Sequence, residues 1–342
     1  MRPFSYERAA DLAQAALLGR ETGQGQTDAV AQFLFGGTTL VDLMKLDVLR
    51  PKRLVDLVEL KGAHGGIAVS VDGLHLGAMA SMAEVAAHPD VRRDYPAVAQ
   101  SLELAASPQI RNMASLGGNV LQRTRCPYFR DPSWTACNKR NPGSGCAAIE
   151  GFNRNHAVLG VDQSCVSQYP GDLAVVLSAF DTELEIVGAA GARRMPFSAL
   201  HRPADGKPHL ENNLQSGDII IGFKVPAGAW TRRSLYLKVR DRASYEFALA
   251  SAAVGLDLED GVVRQVRVGL GGVAYRPWRS PEAEGSLIGK PLNEAAAQAA
   301  AEAAFAGAVT HGGNDFKPEL GRRTLVRALL EARDRTVNAG GA

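Results

Sequence analysis

The chain places all four of its cysteines, Cys126, Cys137, Cys146 and Cys165, in one stretch with the spacing C-x10-C-x8-C-x18-C. From about Leu121 to Tyr169 helical and strand periodicity vanishes, and Pro, Gly, Asn and Arg dominate. About fifty irregular residues inside a compact domain need something other than secondary structure to order them. Three arrangements of four thiols would serve. Disulfides are possible with an even count, but a chain of 342 residues buries enough core to do without them, and cytosolic thiols stay reduced. Structural zinc usually draws on close C-x2–4-C pairs, and none is present. An iron–sulfur cluster takes thiolates from well-separated points on a wrapping loop, which suits the wide spacing. Arg123, Arg125, Lys139 and Arg140 flank the cysteines and would offset the net charge of about −2 to −3 on such a cluster. The same bases would equally serve as a solvated loop surface. Pro127, Pro142, Gly143 and Gly145 allow tight turns that present N–H groups to sulfur.

A net charge of +2 gives no argument for nucleic-acid or membrane binding. No apolar run is long enough to span a bilayer. The N-terminal "MRPFSYERAADLAQAALLGR" has no uninterrupted apolar core of the signal-peptide kind. The expected location is therefore the cytoplasm, or the periplasm by co-export with a partner.

The length suggests two or three domains. "SYERAADLAQAALL" has helical apolar spacing, and "AQFLFGG" reads as a strand ending on paired glycines. "TTLVDLMKLD" reads as a helix capped by Thr38 or Thr39, and "RLVDLV" as a strand. "GIAVSVDGLHLGAM" alternates about Asp72-Gly73, a hairpin signal. "SMAEVAAH", "YPAVAQSLELAAS" and "PQIRNMASLGGNVLQ" read as helices, with Pro96 in a first turn. Beyond the cysteine stretch, "PGDLAVVLSAF" reads as a helix, and "TELEIVG" and "GDIIIGFKVP" as strands. From about Trp230 onward three strand patterns precede two helical ones, which predicts a separate α+β domain with a small antiparallel sheet.

"FLFGGTTL" sets Gly36 and Gly37 between a strand and a helix start, where backbone N–H groups can meet phosphate. "ASLGGN", with Gly117 and Gly118, repeats the arrangement. Such turns are common without any ligand. Neither has the G-x-G-x-x-G or P-loop spacing, which disfavours a nicotinamide-binding Rossmann domain. The seven histidines form no H-E-x-x-H, and no G-x-S-x-G occurs. His201 and His209 are expected at a polar surface, and His156 to be structural. Trp134 and Trp230 are expected in packing or interface roles. The charged "KVRDRASYEF" is expected to form a solvated strand edge.

Together, "FLFGGTTLVDLMK", "IRNMASLGGNVLQRTRCPYFRD", "CNKRNPGSGCAAIEGFNRNHAVLG", "PGDLAVVLSAFD", "GDIIIGFKVP" and "LYLKVRDRASYEFALAS" resemble the FAD-binding subunit of molybdenum hydroxylases, the xanthine dehydrogenase and aldehyde oxidase group. The cysteine stretch is similar to the branch whose flavin subunit also holds a [4Fe-4S] cluster, above all bacterial heterotrimeric aldehyde oxidoreductase. 4-Hydroxybenzoyl-CoA reductase has a comparable but more distant loop. The resemblance implies an α+β fold: a non-Rossmann, two-subdomain FAD-binding unit, then a C-terminal α+β domain. The expected boundaries are 1–60 and 61–228 for the two subdomains, 121–169 for the inserted loop and 229–342 for the last domain.

The resemblance also implies that Gln32, Phe33, Leu34, Phe35, Gly36, Gly37, Thr38, Thr39 and Leu40 hold the FAD diphosphate. Ser115, Gly118 and Asn119 would complete that cradle. Asp172 would contact the cofactor, Ile220 would pack on it and Lys238 would lie near the flavin ring. Cys126, Cys137, Cys146 and Cys165 would ligate the cluster. The implied partners are a large molybdenum-cofactor subunit and a small [2Fe-2S] subunit. This chain would pass electrons from FAD to an external acceptor and catalyse no aldehyde chemistry itself. The alternatives are a 4-hydroxybenzoyl-CoA reductase-like or xanthine dehydrogenase-like subunit, a zinc-binding non-catalytic module, and a stand-alone flavin oxidase.

Overall fold

A computed structural model describes residues 1–20 and 29–337. Three sheets follow one another in sequence. The first is parallel: β1 (Ser5–Arg8) and β2 (Ala31–Leu34) flank β3 (Arg53–Asp56). The helix Leu40–Lys45 links β2 to β3 and buries Leu43 and Met44. Helical spacing suggested one helix from Ser5 onward. The chain instead spends Ser5–Arg8 as a strand, and Asp11 then caps a helix over Leu12–Leu18 by accepting the Gln14 N–H at 2.8 Å. The cap sets where the helix can begin.

The second sheet is antiparallel: β4 (Ile67–Ser70), β5 (Gly73–Gly77), β6 (Glu183–Gly188), β7 (Gly191–Pro196) and β8 (Ile219–Pro226), in the order β4-β5-β8-β6-β7. The β4–β5 hairpin forms at Asp72-Gly73 as its sequence indicates, with Ser70 facing Gly73. β7 carries Arg193 and Arg194 with little apolar alternation, so its sequence gave no strand signal. Helices Met82–Ala87, Pro96–Glu103, Leu116–Val120 and Leu173–Ala179 share one core with this sheet. Phe223, at its centre on β8, is fully buried between Leu76 and Leu184.

The third sheet runs β12-β11-β10-β9, from β9 (Ser234–Val239), β10 (Ala250–Glu259), β11 (Val262–Gly271) and β12 (Trp278–Arg279). Helices Pro281–Leu287, Glu294–Ala304 and Lys317–Asp334 cover one face. The helix Leu173–Ala179 lies against the other. It comes so close that a Cβ on Gly269 would stand 2.6 Å from the Val175 carbonyl oxygen. This helix thus joins the core of the second sheet to that of the third, beside a direct contact of the helix Pro96–Glu103 with β9. No helix among the described residues is long and apolar enough to cross a membrane.

The stretch from 121 to 169 is irregular, as its composition indicates, with one short helix over Pro127–Arg130. Its backbone is nevertheless tied down. Asn138 N–H donates to the Gly145 carbonyl at 2.8 Å, and Asn153 Nδ2 donates to the His311 carbonyl at 2.7 Å. Phe129 and Val166 are fully buried. His201, expected at the surface, is buried against the Tyr169 ring, and burial lowers its pKa to about 3. Trp230 is a packing residue, edge-on to Phe180 at 4.5 Å between centroids, whereas Trp134 is exposed.

Replacing Phe223 with Ala is expected to cost about 3–5 kcal/mol of stability, because the packed sheet centre cannot collapse around the void. Val71→Ala, at the exposed hairpin tip, should change stability by no more than about 0.5 kcal/mol. Denaturant unfolding of the two variants tests this contrast.

Candidate functional site

Two glycine turns about eighty residues apart in sequence meet at one cavity of about 460 Å³. Their approach depends on a missing side chain. A Cβ on Gly36 would stand 1.8 Å from the Met113 carbonyl oxygen, so only glycine lets the turn after β2 abut the helix Pro108–Met113. Gly37 follows with φ +70°, a left-handed conformation that favours glycine. Thr39 is the N-cap of the next helix without a side-chain capping bond.

The second turn differs from its sequence reading in a useful way. "PQIRNMASLGGNVLQ" does not form one helix. Ala114 and Ser115 are extended, and Ser115 Oγ accepts the Gly118 N–H at 3.2 Å to start a new helix, Leu116–Val120. The break lets Ser115 pair with Ser81 and turns the glycines toward the cavity. Every residue from Gln32 to Leu40 lines this space, as do Ser115, Gly118, Asn119, Asp172 and Ile220.

Lys238 does not line it. Its Nζ, on a side chain 1% exposed, donates to Asp172 Oδ2 at 2.8 Å and to the Leu104 carbonyl at 3.1 Å. Lys238 thus meets the cavity wall through Asp172. Tyr236 OH donates to Asp172 Oδ1 at 2.6 Å. Burial pushes the Asp172 pKa upward, while Lys238 and Tyr236 pull it back. The outcome is a wall carboxylate whose orientation is set from the third sheet.

Other wall residues escaped the sequence reading. β9 ends at Val239, and residues 240–247 bend over the cavity instead of continuing as a strand edge. Tyr245 takes φ +53°, and Phe247 lies under the Arg125 guanidinium at 5.0 Å. Arg125 is in turn paired with Asp42 at 3.0 Å, beside Arg130. The signal was present in "RTRC" directly after the second glycine turn. Only the fold brings it to "SYEF" some 120 residues later.

The four cysteines are all unpaired in disulfides, which removes that reading. Loop folding brings them together: Cys137 and Cys146 form a bridge pair, and Cys126 feels both Cys137 and Cys165 electrostatically. Burial raises the Cys126 pKa to about 12 and also raises that of Cys137. Interaction with Cys165 lowers that of Cys146 to about 7. His156 Nε2 lies 3.1 Å from Cys126 Sγ, so its environment is polar on one side. Among the described residues, no three His, Cys, Asp or Glu side chains form a group that could hold a metal ion, so the expected [4Fe-4S] ligation is not supported here.

The cavity is framed by two non-Rossmann glycine turns and edged by the loop that follows β9. Residues 2–228 match the FAD binding domain in molybdopterin dehydrogenase, and residues 235–332 match the CO dehydrogenase flavoprotein C-terminal domain. The chain belongs to the FAD-binding subunits of the molybdenum hydroxylase family and is an oxidoreductase subunit. It is 42% identical to the aldehyde oxidoreductase FAD-binding subunit PaoB of Escherichia coli (strain K12), over 97% of this chain and 99% of that one. It is 24% identical to the carbon monoxide dehydrogenase medium chain of Hydrogenophaga pseudoflava, over 96% of each. Among solved structures, the Cu,Mo-CO dehydrogenase matches with a TM-score of 0.74 at 23% identity, covering 98% of this chain and 100% of that one. Quinoline 2-oxidoreductase from Pseudomonas putida 86 matches at 0.71 and 23%, covering 97% of each chain. These two likenesses show the shared fold.

Gly36→Ala should leave a folded protein that has lost most of its flavin, read as flavin absorbance per chain, because the clash falls where the two turns meet. Lys238→Met strands a buried carboxylate and is expected to cost about 3–5 kcal/mol, measured by denaturant unfolding.

Proposed function

We propose that this chain is the electron-transfer FAD subunit of a molybdenum-dependent aldehyde oxidoreductase. The observation that carries the reading is the single cavity lined by both glycine turns and by Asp172. Identity favours the aldehyde branch: 42% to PaoB against 24% to the carbon monoxide dehydrogenase medium chain and 25% to a putative xanthine dehydrogenase FAD-binding subunit. The proposed partners are a large molybdenum-cofactor subunit, where aldehyde is oxidised, and a small [2Fe-2S] subunit. The domain boundaries 1–60, 61–228 and 229–342 are proposed on the same basis, with 121–169 as an insert.

The residues of this chain bind and orient. Gly36, Gly37, Thr38 and Thr39 on one side and Ser115, Gly118 and Asn119 on the other would hold the FAD diphosphate, with N–H and hydroxyl donors. Ile220, Leu43 and Met82 give the cavity apolar wall that excludes water. Asp172 offers an acceptor held by Tyr236 and Lys238. Bound FAD supplies the redox chemistry, including exchange between two-electron and one-electron partners. Lys238 would act on the flavin through Asp172, by fixing its charge and direction.

Cys126, Cys137, Cys146 and Cys165 are proposed as ligands of a [4Fe-4S] cluster. Their gathering on one loop, their lack of disulfides and the His156 contact support it.

Anaerobic addition of aldehyde to the purified complex should bleach the flavin, while the isolated chain turns over none. Aldehyde oxidation by the isolated chain at the rate of the complex would show it to be a self-contained oxidase instead.

A further inference from the structure

Lys317, the first residue of the last helix, is fully buried, and among the described residues no Asp or Glu forms an ion pair with it. Its Nζ donates to Gln168 Oε1 at 2.8 Å and to the Gly272 carbonyl at 2.6 Å. Both acceptors are uncharged. An ammonium has three N–H groups to satisfy, whereas a neutral amine has two. The first turn of a helix is also the end where a cation is least favoured. Burial, with Arg154 adding to it, lowers the Lys317 pKa to about 7.

The two acceptors converge on one point. Gln168 Nε2 donates to the Ala248 carbonyl at 3.0 Å. Gly272 has φ +71°, and a Cβ there would stand 2.8 Å from the same carbonyl oxygen. Ala248 ends the loop that leaves β9 after Val239 and closes where Leu249 N–H donates to the Val239 carbonyl at 2.9 Å. Arg242, Tyr245, Glu246 and Phe247 of this loop line the cavity. One amine therefore holds both neighbours of the carbonyl at the foot of the loop.

We propose that Lys317 is a positioning residue that, as an uncharged amine, holds residues 240–248 over the cavity and releases them on protonation; its effect on flavin rests on the cavity reading above. Opening of the loop admits water to Nζ, where the ammonium is the favoured form, so opening takes up a proton. The closed state then loses stability as pH falls from the ordinary lysine value of 10.5 toward 7. Below that the loss is constant, because both states are protonated.

The charged neighbours act elsewhere. Arg154, on the cysteine loop, is fixed by Asp241 through bonds of 2.8 and 2.9 Å. Burial, with Lys317 and His311 adding to it, lowers the His156 pKa to about 4. Beyond Gly272, burial raises the Tyr275 pKa. Around the helix start, Asp315 accepts the Gly312 N–H at 3.1 Å and Glu319 pairs with Arg323 at 2.7 Å. Cys146 titrates at about 7, so Lys317 must be judged against a variant.

The test is amide hydrogen exchange of the purified complex between pH 7 and 9, corrected for intrinsic exchange, with the rate of flavin release measured alongside. Protection of residues 240–249, with the Leu249 amide as reporter, should rise more than about tenfold over this range in the wild type, within the tenfold per pH unit that one linked proton allows. Flavin release should slow in step. Lys317→Met, which takes up no proton, should lose the dependence. Gln168→Glu gives the ammonium an anionic partner and should lose it too, so it decides if Lys317→Met does not fold. The same pH dependence in the variants, or none in the wild type, would overturn the role of Lys317. Loop protection that follows Lys317 while flavin release ignores pH would uphold its hold on the loop and overturn its effect on flavin. A wild-type complex with no flavin on this chain would overturn the cavity reading and leave the exchange result to judge Lys317.

Discussion

The buried pair between Asp172 and Lys238 is the contact on which the site depends. Asp172 precedes the helix Leu173–Ala179, which belongs to the core of the five-stranded sheet, while Lys238 comes from β9 of the last sheet. One charge-assisted hydrogen bond therefore joins the two halves at the cavity wall. In so dry a place either partner alone would be an unpaired charge, so the pair enforces a single relative placement of helix and sheet. Tyr236 adds a second donor to the same carboxylate and removes its remaining rotational freedom.

The two glycine turns illustrate a different constraint, that of excluded volume. Gly36 lets a carbonyl of a remote helix occupy the space where a Cβ would be. Ser115 then restarts the following helix at an angle that presents Gly118 and Asn119 to the same space. Neither effect is an attraction of any size. Each removes an obstacle, and the cavity is what remains between surfaces that hydrophobic packing has already brought together.

The irregular loop is held by protein contacts as well as by anything its cysteines bind. Asn153, Asn138 and Lys139 tie it to itself and to distant parts of the chain, and Phe129 and Val166 give it small cores of its own. Its sequence is polar and rich in turns for that reason: each backbone group left out of a ladder needs a local partner. The bases there are not merely solvated. Arg125 and Arg130 share Asp42, and Arg123 and Lys139 share Glu211.

Much of this was readable from local pattern. Alternation located β4 and β5, apolar runs located β6 and β8, and paired glycines located both turns, because those signals are carried by neighbouring residues. The cysteine spacing marked the loop, and the family resemblance picked out the wall residues from Gln32 to Leu40. Local pattern misread Ser5–Arg8, where pairing with β3 overrides helical spacing. It missed β7, whose exposed edge carries no alternation. It also left "RDRASYEF" as a surface edge. Which face a residue presents, and whether a charge meets its partner, depends on groups a hundred or more positions away, as with Lys139 and Tyr275. The sequence by itself determined the elements, the glycine turns and the gathering of thiols into one loop. The tertiary structure alone decided that the turns enclose one cavity, that Lys238 meets Asp172 at its wall, and that Arg123 and Lys139 share Glu211, since each of these follows from long-range packing.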